Sequence, residues 1–498
     1  MARKFYLGLD QGTTGTTALL LDENWKVAAR GYKEHAQIFP NPGWVEHDPM
    51  EIWDSMLASI DMALKEAGAD SHEIACIGLD NQGETCMIWD KNTGKPVYNA
   101  IVWQDRRTAR YADQLASKSG KMIREKTGLV IDAYFSATKL KWILENVTGV
   151  AERAKAGDLI AGTLDSWMIW KLTHGHVHIT DYSTASRTMM LNIHTGQWDD
   201  EILAAIGIPK NILPEICDSS MVYGYTDPLD FFGVKIPISG SVVDQQAALF
   251  GQMCFAPGSV KTTYGTGCFM LMNTGEKPVY SENGLLTTVA WGLNKKMTFA
   301  LDGGIYIAGA AVQWLRDKLK IIAKASETEA LAVEAGGNGG VFFVPAFAGL
   351  AAPHWDQYAR GTIVGLTGSA TKEQIVRATL ESVAYQVKDN LDVMNLDSKI
   401  PIKIMRVDGG MVANNFLMQF QADILGIPVD VPVITETTAL GAACLAAYGI
   451  GEFKSLDEMT SRWQLAKRFE PKMSVDERDS LLHYWHKAVE RSKDWEEG

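Results

Sequence analysis

The stretch FYLGLDQGTTGTTALLL (residues 5–21) begins with an apolar run, passes through a turn rich in glycine and threonine, and returns to an apolar run. This order predicts two strands, residues 5–10 and 18–21, joined by a turn over residues 11–17. The same order returns in SVKTTYGTGCFMLMN (residues 259–273), where a glycine turn over residues 264–267 separates two further apolar runs. Because the pattern of strand, glycine turn and strand occurs twice, the sequence predicts two related lobes.

Helix and strand patterns alternate between and after these two stretches. Residues 51–68 carry apolar side chains at helical spacing, residues 74–79 form an apolar strand that ends at Asp80, and residues 405–408 form a strand that runs into a glycine pair. A helix is predicted after that pair from apolar residues at every fourth position: Val412, Phe416, Phe420 and Ile424. The expected fold is α/β, with lobes at residues 1–250 and 251–498 that pack over a central cleft without a flexible linker.

Composition excludes several classes of protein. The chain has 498 residues, of which 46% are hydrophobic and 21% charged, as in ordinary folded proteins. Its 47 Lys and Arg against 60 Asp and Glu give a net charge of −13, which repels nucleic acid and anionic membranes. The longest uncharged apolar stretch, residues 340–353, is interrupted by Pro345, so no membrane span is expected. Six scattered cysteines form no CxxC pair, and a cytoplasmic protein is expected.

The two glycine turns are candidate phosphate sites. Glycine lets a phosphate approach the backbone N–H groups, and threonine adds hydroxyl donors. Asp10, at the end of the first strand, is a candidate Mg²⁺ ligand because Mg²⁺ takes one or two carboxylates together with phosphate oxygens. A single turn of this kind is more often an ordinary hairpin. Two copies, together with Asp408-Gly409-Gly410, favour ligand binding, although the Walker A and GxGxxG patterns are absent.

Asp244 is a candidate general base. It follows an apolar run over residues 236–243 and precedes a helical segment. A carboxylate there can accept the proton of a hydroxyl that attacks a phosphoryl group. An Asp at the start of a helix is also a common N-cap, and the sequence alone leaves both interpretations open.

Seven motifs, taken in order along the chain, resemble those of glycerol kinases within the FGGY family of carbohydrate kinases. They are FYLGLDQGTT (5–14), WQDRRT (103–108), GTLDSWMIWKL (162–172), DQQAALFGQ (244–252), YGTGCF (264–269), RVDGG (406–410) and ETTALGAA (436–443). The resemblance implies an actin/hexokinase-like ATPase fold with two βββαβαβα lobes. It also implies ATP-dependent phosphorylation of glycerol to sn-glycerol 3-phosphate, with Mg²⁺, in a homodimer or homotetramer.

The resemblance also implies roles for individual residues. Asp244 is expected to be the catalytic base, and Asp10 the metal-associated carboxylate. The residues expected around the polyol are Gly83, Glu84, Tyr134, Asp244, Gln245 and Phe269. The residues expected around ATP are Thr13, Thr14, Gly15, Gly265, Thr266, Gly267, Gly309, Gln313, Gly410, Met411 and Asn414.

The chain departs from the family pattern at three positions. Gly83 and Thr17 stand where the family has arginines, and Val243 stands where it has glycine. Loss of the arginine at Gly83 is expected to weaken glycerol binding and to open volume beside Glu84 and Tyr134. Two alternatives therefore stand beside a glycerol kinase. One is a kinase of a larger polyol or sugar with four or five carbons, and the other is a weakly catalytic actin-like ATPase that acts as a sensor.

Overall fold

A computed structural model describes residues 4–496 and contains two large mixed sheets with helices around them. The strands of the first half are β1 (Phe5–Gln11), β2 (Gly15–Leu21), β3 (Val27–Glu34), β4 (Glu46–His47), β5 (Ile74–Asn81), β6 (Cys86–Asp90), β7 (Ala100–Ile101), β8 (Leu159–Thr163), β9 (Ile179–Asp181), β10 (Leu191–Asn192), β11 (Gln197–Trp198), β12 (Glu215–Cys217), β13 (Ser220–Tyr225) and β14 (Pro237–Val243). Those of the second half are β15 (Val260–Tyr264), β16 (Cys268–Gly275), β17 (Leu286–Leu293), β18 (Lys296–Ile305), β19 (Phe342–Val344), β20 (Thr362–Val364), β21 (Met405–Asp408), β22 (Val429–Pro432) and β23 (Leu465–Phe469).

The helices surround these strands. They are α1 (Pro49–Ala67), α2 (Ala109–Thr127), α3 (Ser136–Asn146), α4 (Val150–Ala156), α5 (Leu164–Leu172), α6 (Tyr182–Ser186), α7 (Asp200–Ile206), α8 (Asp244–Gly251), α9 (Gly309–Asp317), α10 (Glu327–Glu334), α11 (Lys372–Ser398), α12 (Asn415–Leu425), α13 (Thr437–Gly449), α14 (Leu456–Thr460) and α15 (Val475–Ser492). Short 3₁₀ turns lie at Ser71–Glu73, Lys210–Ile212 and Gly410–Ala413. No helix between residues 4 and 496 has the length and apolar character needed to cross a membrane.

The two large sheets repeat one topology, which confirms the predicted duplication. The first has the order β13-β14-β5-β1-β2-β3, and the second β17-β18-β16-β15-β21-β22-β23. In the first, β1 pairs antiparallel with β2 and parallel with β5, and β5 pairs parallel with β14. In the second, β15 pairs antiparallel with β16 and parallel with β21, and β21 pairs parallel with β22. The strands β15, β16, β18, β21 and β22 therefore correspond to β1, β2, β3, β5 and β14.

Two local predictions need correction. The first turn is shorter than expected, because residues 15–17 already pair with β1 and β3 as part of β2. The helix predicted from Val412 onward is interrupted, since Gly410–Ala413 forms a 3₁₀ turn and α12 begins at Asn415. Asn414 caps α12 by accepting the Leu417 N–H at 3.0 Å, and the four-residue apolar spacing conceals this break.

Helix α13, although it lies in the second half of the chain, packs on the sheet of the first lobe. Small residues make this close approach possible. A Cβ on Gly8 would lie 2.0 Å from the carbonyl oxygen of Ala439, and a Cβ on Gly78 would lie 1.9 Å from that of Ala442. The predicted boundary between residues 250 and 251 stays a prediction, because this helix belongs to one half by sequence and to the other by packing.

Helices α8 and α13 also pack tightly against each other where the lobes meet. A Cβ on Gly441 would lie 1.9 Å from the Ala247 oxygen, and one on Gly251 would lie 2.1 Å from the Thr437 oxygen. The surrounding apolar cluster includes residues of both sheets and both helices, among them Leu19, Val242, Phe250, Leu271, Trp291 and Leu445. The two lobes therefore share one core at the base of the cleft.

Replacing Gly78 by alanine tests this close packing. We expect Gly78→Ala to lower the free energy of unfolding by about 3 kcal/mol or more, because the new methyl group overlaps a helix carbonyl that cannot move independently. Gly120→Ala in α2 is the matched control. A Cβ at Gly120 would have no atom within 4 Å. The free energy of unfolding of Gly120→Ala should therefore rise by about 0.5–1 kcal/mol. Denaturant unfolding followed by circular dichroism measures both, and equal stability of the two variants would contradict the packing argument.

Candidate active site

Three carboxylates meet at the carboxyl ends of the parallel strands in the first sheet. Asp10 lies near the end of β1, opposite Asp80 of β5 in the strand register. Asp244 follows β14, which is the other neighbour of β5. Parallel strands end at one edge of a sheet, and that edge is where open α/β folds bind ligands.

Burial raises the pKa of all three carboxyl groups, and the charge of Asp244 raises those of Asp10 and Asp80 further. Burial, with the charge of Asp244 next in importance, raises the pKa of Asp10 to about 7. Burial raises the pKa of Asp80 well above its usual range; its carboxyl group faces that of Asp10 and accepts no hydrogen bond from an N–H or hydroxyl donor of the described residues. Burial also raises the pKa of Asp244. Like charges held this close favour a bound cation or a proton.

The donor set of Asp10 and Asp80 fits Mg²⁺. Residues 4–496 contain no cluster of three or more His, Cys, Asp or Glu arranged to enclose a metal by themselves. Mg²⁺ does not need such a cluster, since it commonly takes one or two carboxylates and completes its octahedron with phosphate oxygens and water. The Asp80 oxygens, which accept no hydrogen bond from an N–H or hydroxyl donor of the described residues, are the observation that makes this pair suitable.

Asp244 does not cap its helix, which separates the two interpretations that the sequence left open. The N-cap position of α8 is Val243, and Asp244 is the first helical residue. Its Oδ1 accepts the N–H of Gln245 at 2.6 Å. The rest of the carboxylate is available to accept a proton from a substrate hydroxyl.

The first glycine turn is held in place by side chains from other elements. Trp103 Nε1 donates to Thr13 Oγ1 at 2.9 Å, and Gln37 Nε2 donates to the Thr13 carbonyl at 2.7 Å. Thr14 is exposed. Gly15 is buried in β2, where a Cβ would lie 2.6 Å from the Lys33 oxygen. Gly15 thus closes the hairpin against β3, and the phosphate contact predicted for it stays a prediction.

The second glycine turn is more open. Gly265 and Thr266 are exposed, and Gly267 is half-buried. The start of α9 folds onto this turn, since the Gly309 N–H donates to the Gly265 carbonyl at 3.0 Å. A Cβ on Gly309 would lie 2.6 Å from that same oxygen, so glycine is needed for the approach. The exposed Gln313 lies one turn further along α9.

The remaining residues predicted for the nucleotide lie beside this turn. Met411 Sδ is 3.5 Å from the Cβ position of Gly309, and a Cβ on Gly410 would meet no atom within 4 Å. Asn414 Nδ2 donates to Thr328 Oγ1 at 3.2 Å, so its side chain already has structural partners as well as the cap of α12. The structure thus brings together Gly265, Gly309 and Met411, with Gly410 open to solvent.

An ion-pair chain lies at the centre of the predicted polyol pocket. Arg187 Nε donates to Glu84 Oε1 at 2.6 Å, and Arg187 Nη1 lies 3.0 Å from Asp302 Oδ2. Burial raises the pKa of Glu84 to about 7, although Arg187 acts in the opposite direction. Arg187 is 5% exposed. Glu84 adopts a left-handed φ of 59°, a conformation that is uncommon outside glycine and turns.

Aromatic rings enclose this ion pair. The Arg187 guanidinium lies 5.8 Å from the centroid of Tyr134 and 5.5 Å from that of Phe135. Trp103 makes an edge contact with Tyr134 at 5.7 Å, so one side chain links the first turn to the pocket. Phe269, half-buried on β16, faces Gly304 of β18 in the strand register. Aromatic walls and convergent charged groups are typical of sites for small polar molecules with a carbon skeleton.

Lys139 organises the segment that carries Tyr134. Its buried Nζ donates to the carbonyls of Ala133 at 2.7 Å, Tyr134 at 2.5 Å and Phe135 at 3.3 Å. Burial lowers the pKa of Lys139 to about 8. Because one ammonium group collects three successive carbonyls, the backbone beside the aromatic wall is fixed.

Gly83 has Val243 as a close neighbour. A Cβ on Gly83 would lie 2.7 Å from Val243 Cγ2 and 4.0 Å from Arg187 Cγ. The valine that departs from the family pattern therefore fills the space into which a side chain at position 83 would begin. The two departures, Gly83 and Val243, are sterically matched in this direction, and the larger volume expected beside Glu84 and Tyr134 stays a prediction.

Other basic side chains lie in the cleft. Arg30 lies beside Thr17, with Nη2 at 3.5 Å from the hydroxyl, and its Nε pairs with Glu436 at 2.9 Å. Lys261, buried on β15, donates to Gln245 Oε1 at 2.5 Å and to Thr263 Oγ1 at 3.0 Å. Although positions 17 and 83 carry no arginine, the site still contains Arg30, Arg187 and Lys261.

Sequence reasoning missed several residues of this site. They are Asp80, Trp103, Arg187, Lys261 and Asp302. Asp80 had a usable signal, because it ends an apolar strand at the ligand-binding edge. Lys261 had a weaker one, a charged residue inside an apolar strand. Arg187 had none, since its partner Glu84 lies 103 positions away.

Known proteins match this chain over nearly its whole length. The family models described as the FGGY family of carbohydrate kinases, N-terminal and C-terminal domains, match residues 5–251 and 260–450. The chain is 60% identical over 494 residues to "Glycerol kinase 2" of Thermotoga maritima and 57% identical over 495 residues to "Glycerol kinase" of Caldanaerobacter subterraneus subsp. tengcongensis, with 99% of each chain covered in both cases.

A solved structure agrees over the same length. The crystal structure of Plasmodium falciparum glycerol kinase with ADP superposes with a TM-score of 0.92 at 38% identity, and the match covers 99% of this chain and 98% of that one. The actin/hexokinase-like arrangement of two lobes is confirmed. The chain belongs to the FGGY family of carbohydrate kinases.

Proposed function

We propose that this enzyme transfers the γ-phosphoryl group of ATP to glycerol and forms sn-glycerol 3-phosphate and ADP. The observation that carries this proposal is the similarity, over the full length, to relatives named glycerol kinase, which have 55–60% identity. The pocket supports it, because the Glu84–Arg187 pair and the Asp244 carboxylate offer both acceptors and donors to the hydroxyls of a small polyol.

Asp244 is the proposed general base. In the transfer, a terminal hydroxyl oxygen of glycerol bonds to the γ-phosphorus while the bond from that phosphorus to the β–γ bridging oxygen breaks. The hydroxyl proton passes to Asp244, and the bridging oxygen leaves on ADP. Burial raises the pKa of Asp244 above that of an ordinary aspartate, which makes its carboxylate a better proton acceptor.

ATP and Mg²⁺ are proposed partners of the two turns and the carboxylate pair. The open backbone at Gly265 and Thr266 suits nucleotide phosphates, and Asp10 with Asp80 suits the metal. Bound Mg²⁺ would neutralise charge on the phosphate oxygens. Thr13, held by Trp103 and Gln37, could donate its hydroxyl proton to a phosphate of ATP bound at the second turn. The homodimer or homotetramer expected from the family stays a prediction.

The filled space beside Gly83 favours a three-carbon substrate over a longer one. Val243 Cγ2 lies 2.7 Å from the position of a Cβ on Gly83, so an additional hydroxymethyl group could not occupy that point. Arg187 supplies a guanidinium to the pocket from α6's C-terminal end. Of the alternatives, a kinase of four- or five-carbon polyols therefore has less support than a glycerol kinase.

A substrate screen tests the proposed function. ATP consumption is measured with glycerol, erythritol, threitol, pentitols and xylulose at equal concentration, with Mg²⁺ present. We expect the specificity constant for glycerol to exceed that of every longer substrate by at least tenfold. A higher specificity constant for any four- or five-carbon compound would replace glycerol as the proposed substrate, and turnover with none of them would favour the sensor alternative.

Asp244→Asn tests the base. The amide keeps the shape of the side chain but cannot accept the hydroxyl proton as a carboxylate does, so kcat should fall by about 10²–10⁴-fold. Binding of ADP, measured by isothermal titration calorimetry, should change little. Asp317→Asn, an exposed aspartate on α9, is the control and should keep wild-type kcat. Near-normal turnover in Asp244→Asn would remove Asp244 from the mechanism.

The steric match of Gly83 and Val243 can be tested with three variants. Gly83→Arg alone should impair glycerol turnover strongly, because its Cβ begins 2.7 Å from Val243. The double variant Gly83→Arg/Val243→Gly should recover most of that activity. Val243→Gly alone should raise the ratio of the specificity constants for erythritol and glycerol, since it opens the space that valine fills. If the second substitution fails to rescue the first, the two positions are not coupled in the way the structure indicates.

A further inference from the structure

Lys261 is a buried cation whose role the proposed chemistry leaves unassigned. It lies on β15, the first strand of the second lobe, and its side chain is fully buried. Nζ donates to Gln245 Oε1 at 2.5 Å and to Thr263 Oγ1 at 3.0 Å. An ammonium group has three donors, so these two contacts leave one donor without a partner among the described residues.

The charge of Lys261 has no direct counterion. Among residues 4–496, no carboxylate lies within ion-pair distance of its Nζ, although Asp408, Asp244 and Asp302 act on it through the electrostatic field. Burial lowers the pKa of Lys261. A buried cation paired only with neutral oxygens is costly unless an anion joins it. Such a group is suited to an anionic ligand that is present only during the reaction.

The position of Lys261 identifies that anion. Its first partner, Gln245, directly follows the base Asp244, and its second, Thr263, lies opposite Asp408 in the strand register and just before the second glycine turn. Nζ therefore lies between the base in one lobe and the phosphate turn in the other. The phosphoryl group crosses this interval when it moves from nucleotide to polyol.

We propose that Lys261 donates its free N–H to an oxygen of the phosphoryl group in transit and retains that contact in the phosphorylated product. This inference rests on the proposed function. The bonds that form and break are those of the transfer to glycerol, and Lys261 exchanges no proton in the step. Its contribution is charge stabilisation that is stronger in the transition state than in either reactant.

A structural tether is the competing interpretation. In that case Lys261 would serve only to orient Gln245 beside the polyol, and its removal would weaken glycerol binding. The two roles differ in what they affect, because a phosphoryl contact is absent when only glycerol is bound. Affinity for glycerol, affinity for glycerol 3-phosphate and kcat therefore separate them.

The experiment compares the full-length wild type with Lys261→Met, Lys261→Gln and Lys261→Arg. Lys261→Gln removes the charge but keeps a hydrogen-bond donor for Gln245 and Thr263, and Lys296→Met, at an exposed lysine of β18, is the control. We expect the two neutral variants to lose about 10²–10³-fold in kcat. Their Kd for glycerol should stay within about threefold, and their Kd for glycerol 3-phosphate should rise at least tenfold, or about 1.4 kcal/mol. Lys261→Arg should retain part of the activity.

Two outcomes would overturn the proposal. One is a rise in the Kd for glycerol as large as the rise for glycerol 3-phosphate, which would identify a tether. The other is an unchanged kcat in Lys261→Gln. The midpoint of thermal unfolding is measured for each variant to confirm that it is folded. Turnover of glycerol by the wild type is measured in parallel. Its absence would count against the proposed function, whereas the ratios between variant and wild type bear on Lys261 alone.

Discussion

The close contact of α13 with the first sheet is the constraint on which the site depends. Carbonyls of this helix approach Gly8 and Gly78 at distances that no side chain tolerates, and α8 meets α13 through Gly251 and Gly441. The second lobe is thereby fixed to the first at the base of the cleft. Asp244, the first residue of α8, and the turn that follows β15 are placed opposite each other by this shared core. Lobes joined by packed helices can still move as rigid bodies, through small sliding of those helices against each other.

Charge is distributed across the cleft in a way that suits transfer of an anion between two substrates. The first lobe supplies Asp10, Asp80 and Asp244, a group that is unfavourable until a cation or a proton joins it. Arg187 lies between two carboxylates of opposite lobes, Glu84 and Asp302, and is neutralised before any substrate binds. Among residues 4–496, the buried Lys261 has no carboxylate within ion-pair distance, and unlike Lys139, whose ammonium collects three carbonyls, it has only two hydrogen-bond partners. The acids therefore suit the proposed Mg²⁺, and the lysine suits the proposed phosphoryl contact.

Local chemistry made the strands, turns and lobe repeat predictable, because apolar runs and glycine turns act over a few residues. The roles predicted for Asp10, Asp244 and the glycines of the second turn rest on the same local patterns and stay predictions. Arg187 has no such local signal, because its partner Glu84 lies 103 positions away. The partners of Lys261 are nearer in sequence, 2 and 16 positions away, but the apolar pattern of its strand does not indicate that they meet. The 3₁₀ turn at Gly410–Ala413 was concealed by an apolar spacing that continues across it.

The departures from the family pattern show why substitutions at a site are better considered in pairs. Taken alone, Gly83 removes an arginine and suggests a hollow, and Val243 adds bulk beside the base. In the structure, the valine fills the space that the glycine leaves, and the stem of Arg187 lies on its other side. Packing density near that of an organic solid leaves little room for one change without the other. The valine therefore blocks the position next to Gly83, and Glu84 with Arg187 retains charged hydrogen-bonding groups suited to the proposed polyol.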